Sequence, residues 1–329
     1  MGNRTQTEEF RLPIPDREVI LALRGLTKSY GDVRAVDGLS LDVRRGEIFG
    51  LLGPNGAGKT TTIQLICGLL KSDSGEITVN GMPLLGHLRE CRRGMGLCPQ
   101  NLVVWETLTC QEQLELTARL YDIPPGAARG KSLELLETLG LLEKRGKLAK
   151  TLSGGMKRRL NIALALVHDP SLLILDEPTA GLDPQSRVLV RETIRSMAER
   201  ITVVLTTHEM DEADRLSDRV AIIDRGRLLV LDTPANLKKR IGEGDVVEIT
   251  LAEGHGKRLS RLENELPETV RRLAHEGDSL SLVGSDIPAL LPGLMEKFHA
   301  RGLKIEDLTI RRKSLEDVFI ALTGRRLRE

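Results

Sequence analysis

Long apolar runs are missing from this sequence: no stretch of 18 or more uncharged apolar residues occurs, so the chain does not span a membrane by itself. Residues Met1 to Asp16 are polar and proline-containing, without the apolar h-region of a signal peptide, and read as a flexible tail. Charge of one sign is also lacking, since 48 Lys+Arg balance 47 Asp+Glu to a formal net charge of +1, which gives no reason to expect nucleic acid as the main partner. The four cysteines, Cys67, Cys91, Cys98 and Cys110, form no C-x-x-C pair and have no histidine at metal-ligand spacing. They read as small buried hydrophobes in a reducing compartment. Aromatic residues make up 2% of the chain, so each tyrosine and the one tryptophan carry information. The 40% hydrophobic content suffices for ordinary cores, and 329 residues suggest about two domains.

What is present is glycine in a particular order. GPNGAGKT, from Gly53 to Thr60, matches the phosphate-loop pattern G-x-x-x-x-G-K-[ST] throughout. Glu47 to Leu52 reads as a short buried strand before it, and Thr61 to Leu70 as a helix packed on one face after it. A helix N-terminus offers unpaired N–H groups and the positive end of a dipole to a polyphosphate. Glycines at Gly53, Gly56 and Gly58 let the backbone curl without Cβ clashes. The candidate nucleotide-binding residues are therefore Gly53, Pro54, Asn55, Gly56, Ala57, Gly58, Lys59, Thr60 and Thr61. Lys59 should reach the β and γ phosphates, and the Thr60 hydroxyl should ligate Mg²⁺.

A second apolar run, Leu172 to Leu175, ends in Asp176 and Glu177, so a buried strand delivers two carboxylates to the carboxyl edge of a parallel sheet. Asp176 would help hold the magnesium, and Glu177 would act as general base on the attacking water.

LSGGM from Leu152 to Met156, followed by Lys157, Arg158, Arg159 and then LLILDEP, completes a set that resembles the ATP-binding subunits of ABC transporters, over Val19 to Lys239. The resemblance implies an α/β P-loop NTPase core with a helical signature subdomain, hydrolysing Mg-ATP in a head-to-tail dimer of two copies. LSGGM looks like the signature LSGGQ, with Met156 in place of the glutamine, and implies that Ser153, Gly154 and Gly155 cap the γ-phosphate of ATP held by the opposite subunit. Gln100 resembles the Q-loop glutamine, which meets metal and water. His208 resembles the switch histidine on the γ-phosphate, Tyr30 the A-loop aromatic that stacks on adenine, and Asp183 the D-loop aspartate at the dimer interface. Glu112 to Tyr121 and Lys131 to Leu142 show helical spacing interrupted by Pro124, Pro125 and Gly126. This resembles the helical subdomain, whose groove near the Q-loop receives a coupling helix of a separate integral-membrane permease. Trp105 fits either an anchor for that partner or a half-buried packing residue.

After Arg240 the pattern changes. Asp245 to Leu251 and Leu303 to Arg311 alternate as strands, Ser279 to Val283 is a short strand, and Pro288 to Ala300 reads as a helix. SLEDVFIALTG, Ser314 to Gly324, has a serine N-cap, acidic residues in the first turn and a glycine stop. This ending is similar to that of daunorubicin-resistance type exporter ATPases. The expected organisation is a tail over 1–17, an ATPase domain over 18–241 and a small α+β accessory or dimerisation domain over 242–329. The implied function is export of a drug, lipid or polysaccharide from the cytoplasmic face of the membrane. An importer subunit shares every ATPase motif and stays open, as does a soluble ABC machine, which the single cassette and the absence of heptads and zinc spacing disfavour.

Overall fold

The computed structural model describes residues 17–198, 200–255, 270–285 and 287–324. Most of the expected N-terminal tail lies outside them. The chain divides into two compact units, one formed by Met1–His208 with Leu216–Leu228, the other by Glu209–Arg215 with Leu229–Glu329.

The first unit runs β1 (Val19–Tyr30), β2 (Val33–Arg44), β3 (Ile48–Leu52), α1 (Lys59–Ile66), β4 (Ser74–Val79), β5 (Met82–Pro83), α2 (Leu88–Arg93) and β6 (Met95–Cys98). It continues with α3 (Cys110–Leu120), α4 (Pro125–Thr138), α5 (Gly154–Leu166), β7 (Leu172–Asp176), α6 (Pro184–Met197) and β8 (Thr202–Thr207). The chain then crosses α7 (Met210–Leu216), returns as β9 (Arg219–Asp224), and leaves through β10 (Arg227–Asp232). Strands β9, β3, β8, β7 and β6 lie side by side in that order, each pair parallel. Every residue of β3, β7 and β8 is buried, as expected of central parallel strands covered on both faces. Leu173, Leu175, Val203 and Leu205 from these strands join Leu160 and Ile162 of α5, Val190 and Ile194 of α6, and Leu114 and Leu136 of α3 and α4 in one core.

Sequence spacing located the elements it singled out, most of them with small displacements; α4 departs furthest, running over Pro125–Thr138 where Lys131 to Leu142 was expected. The strand before the glycine loop starts at Ile48 rather than Glu47, and α1 begins at Lys59 and ends at Ile66, so Cys67 to Leu70 turn instead of continuing the helix. Of the residues expected to interrupt the helices, only Pro124 lies outside one. Pro125 opens α4 at its first position, where a missing N–H costs no intrahelical bond. The antiparallel sheet β2-β1-β4-β5 was not anticipated.

In the second unit, α8 (Pro234–Arg240) is followed by β11 (Asp245–Leu251), β12 (Val270–Glu276), β13 (Ser279–Gly284), α9 (Ile287–Ala300), β14 (Ile305–Arg311) and α10 (Leu315–Thr323). Its sheet is antiparallel, ordered β12-β13-β11-β14, over a core of Val247, Ile249, Leu282, Ile287 and Phe298. The α+β character read from the sequence is observed. Strand β12 was not anticipated, and β14 is an edge strand whose burial does not alternate. Ser314 and Asp317 form a capping box at the start of α10, and Gly324 ends it in the left-handed region at φ 70°. Among the described residues no helix is long and apolar enough to cross a membrane.

Candidate functional site

Four neighbouring parallel strands end at one edge. Register pairs Cys98 with Leu175, Asp176 with Thr206, and Leu52 with Thr207, so the loops after β6, β7, β8 and β3 emerge together. These loops carry Gln100, Glu177, His208 and the Gly53–Gly58 turn. Open parallel sheets gather ligands at this carboxyl edge.

Gly58 has φ 102°, and a Cβ there would meet the Ala35 carbonyl at 2.2 Å, so only glycine fits the last position of the loop. It stands as N-cap of α1 without any side-chain cap, which leaves the first N–H groups of that helix for an anion. Lys59 is buried, and its ammonium donates to the carbonyls of Gly53 at 2.8 Å and Pro54 at 3.1 Å. It lies 3.9 Å from Glu177 Oε1. Burial pushes the Lys59 ammonium below its ordinary range, and the charges of Glu177 and Asp176 offset only part of that. The Thr60 hydroxyl is on an exposed residue, whereas Thr62 is buried and bonded back to Gly58 at 2.8 Å. An uncapped helix end beside a buried cation fits a polyphosphate.

Glu177 is 8% exposed and holds φ 47°, in the left-handed region. Its N–H donates to both the carbonyl and the hydroxyl of Thr206, each at 3.1 Å. Its Oε1 accepts from His208 Nδ1 at 2.9 Å, and its Oε2 accepts from Gln100 Nε2 at 3.0 Å. A carboxylate only accepts, so Nδ1 carries the proton of His208 and the amide oxygen of Gln100 faces away from Glu177. Asp176 Oδ1 accepts from the Thr206 hydroxyl at 2.5 Å. Among the described residues no group of three His, Cys, Asp or Glu could hold a metal. The available oxygens are the Thr60 hydroxyl, the Asp176 carboxylate and the Gln100 amide. Such a sparse hard-oxygen set suits Mg²⁺, which binds through one or two carboxylates, waters and substrate phosphates rather than an all-protein cage.

Two further residues of this cluster were not singled out from the sequence. Arg158 looked like part of a basic stretch, yet it is buried and bonds carbonyls around the site. Thr206 falls just past the strand expected over Ile201 to Leu205, whereas β8 runs on to Thr207. Arg158 shares a helical face with Asn161 and Ala165, all buried, at spacings of three and four; that periodicity was the available signal.

The signature turn stands outside this contact set. Ser153 is N-cap of α5 and accepts from the Met156 N–H at 3.3 Å. A Cβ on Gly155 would lie 2.5 Å from Ser186 Oγ and 2.7 Å from Ser186 Cβ, so the turn packs directly on the start of α6. Asp183 caps α6, accepting from the Ser186 N–H at 2.9 Å and its hydroxyl at 2.6 Å, and these bonds lower its carboxyl. Gly154 is exposed. Tyr30 is exposed too, with the Lys28 ammonium 6.0 Å from its ring centroid.

At Pro99, the residue before Gln100, opens a mainly apolar cavity of about 420 Å³ walled by Met95, Leu97, Val103, Trp105, Tyr121 and His168. Trp105 is 43% exposed here, and the rings of Tyr121 and His168 stack at 3.8 Å, within 2° of parallel.

The family model for "ABC transporter" matches residues 36–180. The linearmycin resistance ATP-binding protein LnrL of Bacillus subtilis is 36% identical, covering 94% of this chain and 100% of the relative. The daunorubicin/doxorubicin resistance ATP-binding protein DrrA of Streptomyces peucetius is 40% identical over 91% of each. Among solved structures, a dimeric post-hydrolysis state of the ATP-binding cassette MJ0796 bound to ADP and Pi is 26% identical, with TM-score 0.59, covering 65% of this chain and 98% of that one. With the phosphate loop, the paired carboxylates and the signature turn on one such fold, this chain belongs to the ABC transporter family as an ATP-hydrolysing, ATP-binding protein.

Proposed function

We propose that two copies of this chain clamp two Mg-ATP molecules head to tail and hydrolyse them to drive a separate membrane permease that exports a drug, lipid or polysaccharide. The observation that carries the reading is the convergence of Lys59, Gln100 and His208 on the Glu177 carboxylate. Lys59, with Gly53 to Thr61, would hold the phosphates, and Tyr30 the adenine. Glu177 would orient the attacking water and accept its proton, with His208 and Gln100 fixing the carboxylate in place. Thr60, Asp176 and Gln100 would hold Mg²⁺, which when bound neutralises charge developing on the phosphoryl oxygens. Ser153, Gly154, Gly155 and Asp183 would meet the nucleotide and the interface of the second copy. Support for the pairing comes from the dimeric relative and from the exposure of Ser153, Gly154 and Asp183. The drug-resistance names of the relatives support export.

The cavity at Pro99 suits an apolar helix from the permease, so the chain would sit on the cytoplasmic face of the membrane, and residues 242–329 would serve as an accessory or dimerisation domain. The test is a tagged pull-down from detergent-solubilised membranes, comparing Glu177→Gln with ATP against Lys59→Ala. Stoichiometric recovery of a multi-helix membrane protein and a second copy with the first variant supports the reading. Recovery of only ribosomal or DNA-bound material overturns it.

A further inference from the structure

We infer that Thr206 is a positioning residue that sets both carboxylates of the hydrolytic site through one hydroxyl, an inference that rests on the proposed roles of Asp176 and Glu177. Thr206 is fully buried near the end of β8, opposite Asp176 in the register. A valine would satisfy a buried parallel strand equally well, so a buried hydroxyl here needs partners, and it has two. It donates to Asp176 Oδ1 at 2.5 Å and accepts from the Glu177 N–H at 3.1 Å.

The direction of both bonds is fixed. A hydroxyl has one proton, and the Glu177 N–H can only donate, so the Thr206 proton is committed to Asp176. That bond holds the Asp176 side chain in one orientation, leaving Oδ2 and the second lone pair of Oδ1 for a cation. The other bond shares the Glu177 N–H with the Thr206 carbonyl, both at 3.1 Å, and so adds to the hold on a residue at φ 47°, a left-handed setting that persists in a non-glycine residue only when its surroundings impose it. Thr206 therefore links the orientation of the proposed metal ligand to that of the proposed general base. Outer partners of this kind change metal affinity or activity by about 10- to 100-fold when removed.

Thr206→Val removes the hydroxyl and keeps the shape, whereas Thr206→Ser keeps the hydroxyl and drops the methyl group. In a Glu177→Gln background, calorimetry would measure ATP affinity with and without Mg²⁺. In the otherwise wild-type chain, kcat and KM would be followed together with Tm. The expectation for Thr206→Val is unchanged metal-free ATP binding, about 10-fold loss of the Mg²⁺ enhancement and about 10-fold lower kcat at near-constant KM, with Thr206→Ser restoring both. A folded Thr206→Val with wild-type Mg²⁺ enhancement and kcat overturns the inference. So does Thr206→Ser failing alongside Val, which would trace the effect to packing. Asp176→Asn separates the parent reading: if it leaves the Mg²⁺ enhancement intact, Asp176 is not the metal ligand and the inference falls with it.

Discussion

The Arg158 guanidinium donates to the main-chain carbonyl of Glu177 at 2.9 Å while also holding the carbonyls of Pro99 at 2.9 Å and Gln100 at 3.1 Å. Arg158 is 3% exposed, and these carbonyls take the place of water around its charge. The residue thus fixes the backbones of both Gln100 and Glu177, whose side chains meet at 3.0 Å.

Arg158→Lys keeps the charge but cannot span three carbonyls from a planar fork. We expect a stability loss of about 2 kcal/mol in urea unfolding and a fall in kcat of about tenfold or more, with ATP affinity retained. A variant with normal kcat would separate the guanidinium from the positioning of Glu177.

Glu177→Gln preserves the size of the side chain and removes its basicity. Phosphate release should fall by about 10²- to 10⁴-fold, and light scattering should detect an ATP-dependent dimer that persists. Hydrolysis at the normal rate would remove Glu177 from the proposed role of base.

Gly155→Ala places a methyl group against Ser186, inside 3 Å of both its Oγ and its Cβ. Overpacking of this kind costs about 1–3 kcal/mol, so Tm should fall by several degrees. Adding Ser186→Gly clears the space and should restore part of the loss; no recovery in the double variant would place the strain elsewhere.

Burial raises the thiols of Cys67 and Cys98, to about 12 and about 11 respectively, and all four cysteines are buried and free of disulfides. Native protein at pH 8 should therefore resist iodoacetamide and release four reactive thiols only on denaturation, as read by mass spectrometry. Rapid native alkylation of Cys98 would contradict its placement beneath Arg158 and Asn161.

In the second unit, Asp317 accepts two bonds from Arg311, each at 2.8 Å, and Arg311 also pairs with Glu248 at 2.8 Å. Burial alone would raise the Asp317 carboxyl, but the bonds from Arg311 and Ser314 outweigh it and hold the group below its ordinary 3.8. Its contribution to stability is thus present above about pH 4 and lost as pH falls through the lower folded value. Asp317→Asn should cost about 2 kcal/mol at pH 7 and flatten the acid limb of unfolding, measured by circular dichroism.

Legibility followed the physics of each element. Buried parallel strands read as unbroken apolar runs, so the strands bearing Leu52 and Asp176 were plain, and the capping residues Ser314 and Gly324 marked α10 to the residue. The sheet containing β1 was hidden because irregularities near Val19, Leu23, Leu26 and Lys28 break the two-residue alternation that identifies a strand. Sequence motifs named the side chains that meet one another, Lys59, Gln100, Glu177 and His208. The residues that hold them, Arg158 and Thr206, resembled a solvated charge and a strand former because their roles depend on partners distant in sequence; only the helical spacing of Arg158 with Asn161 and Ala165 left a local trace, and it marks burial, not the partners.

Helix α5 begins at the signature turn, and little more than one turn later it presents Arg158 to the carbonyl of Glu177. In the proposed mechanism such a helix, held at both points, would act as a lever, carrying a displacement of Ser153 to the main chain of Glu177 in the same chain. In the proposed pair of copies, each nucleotide would press on its neighbour's lever as well as filling its own loop, and the two sites would keep time with each other.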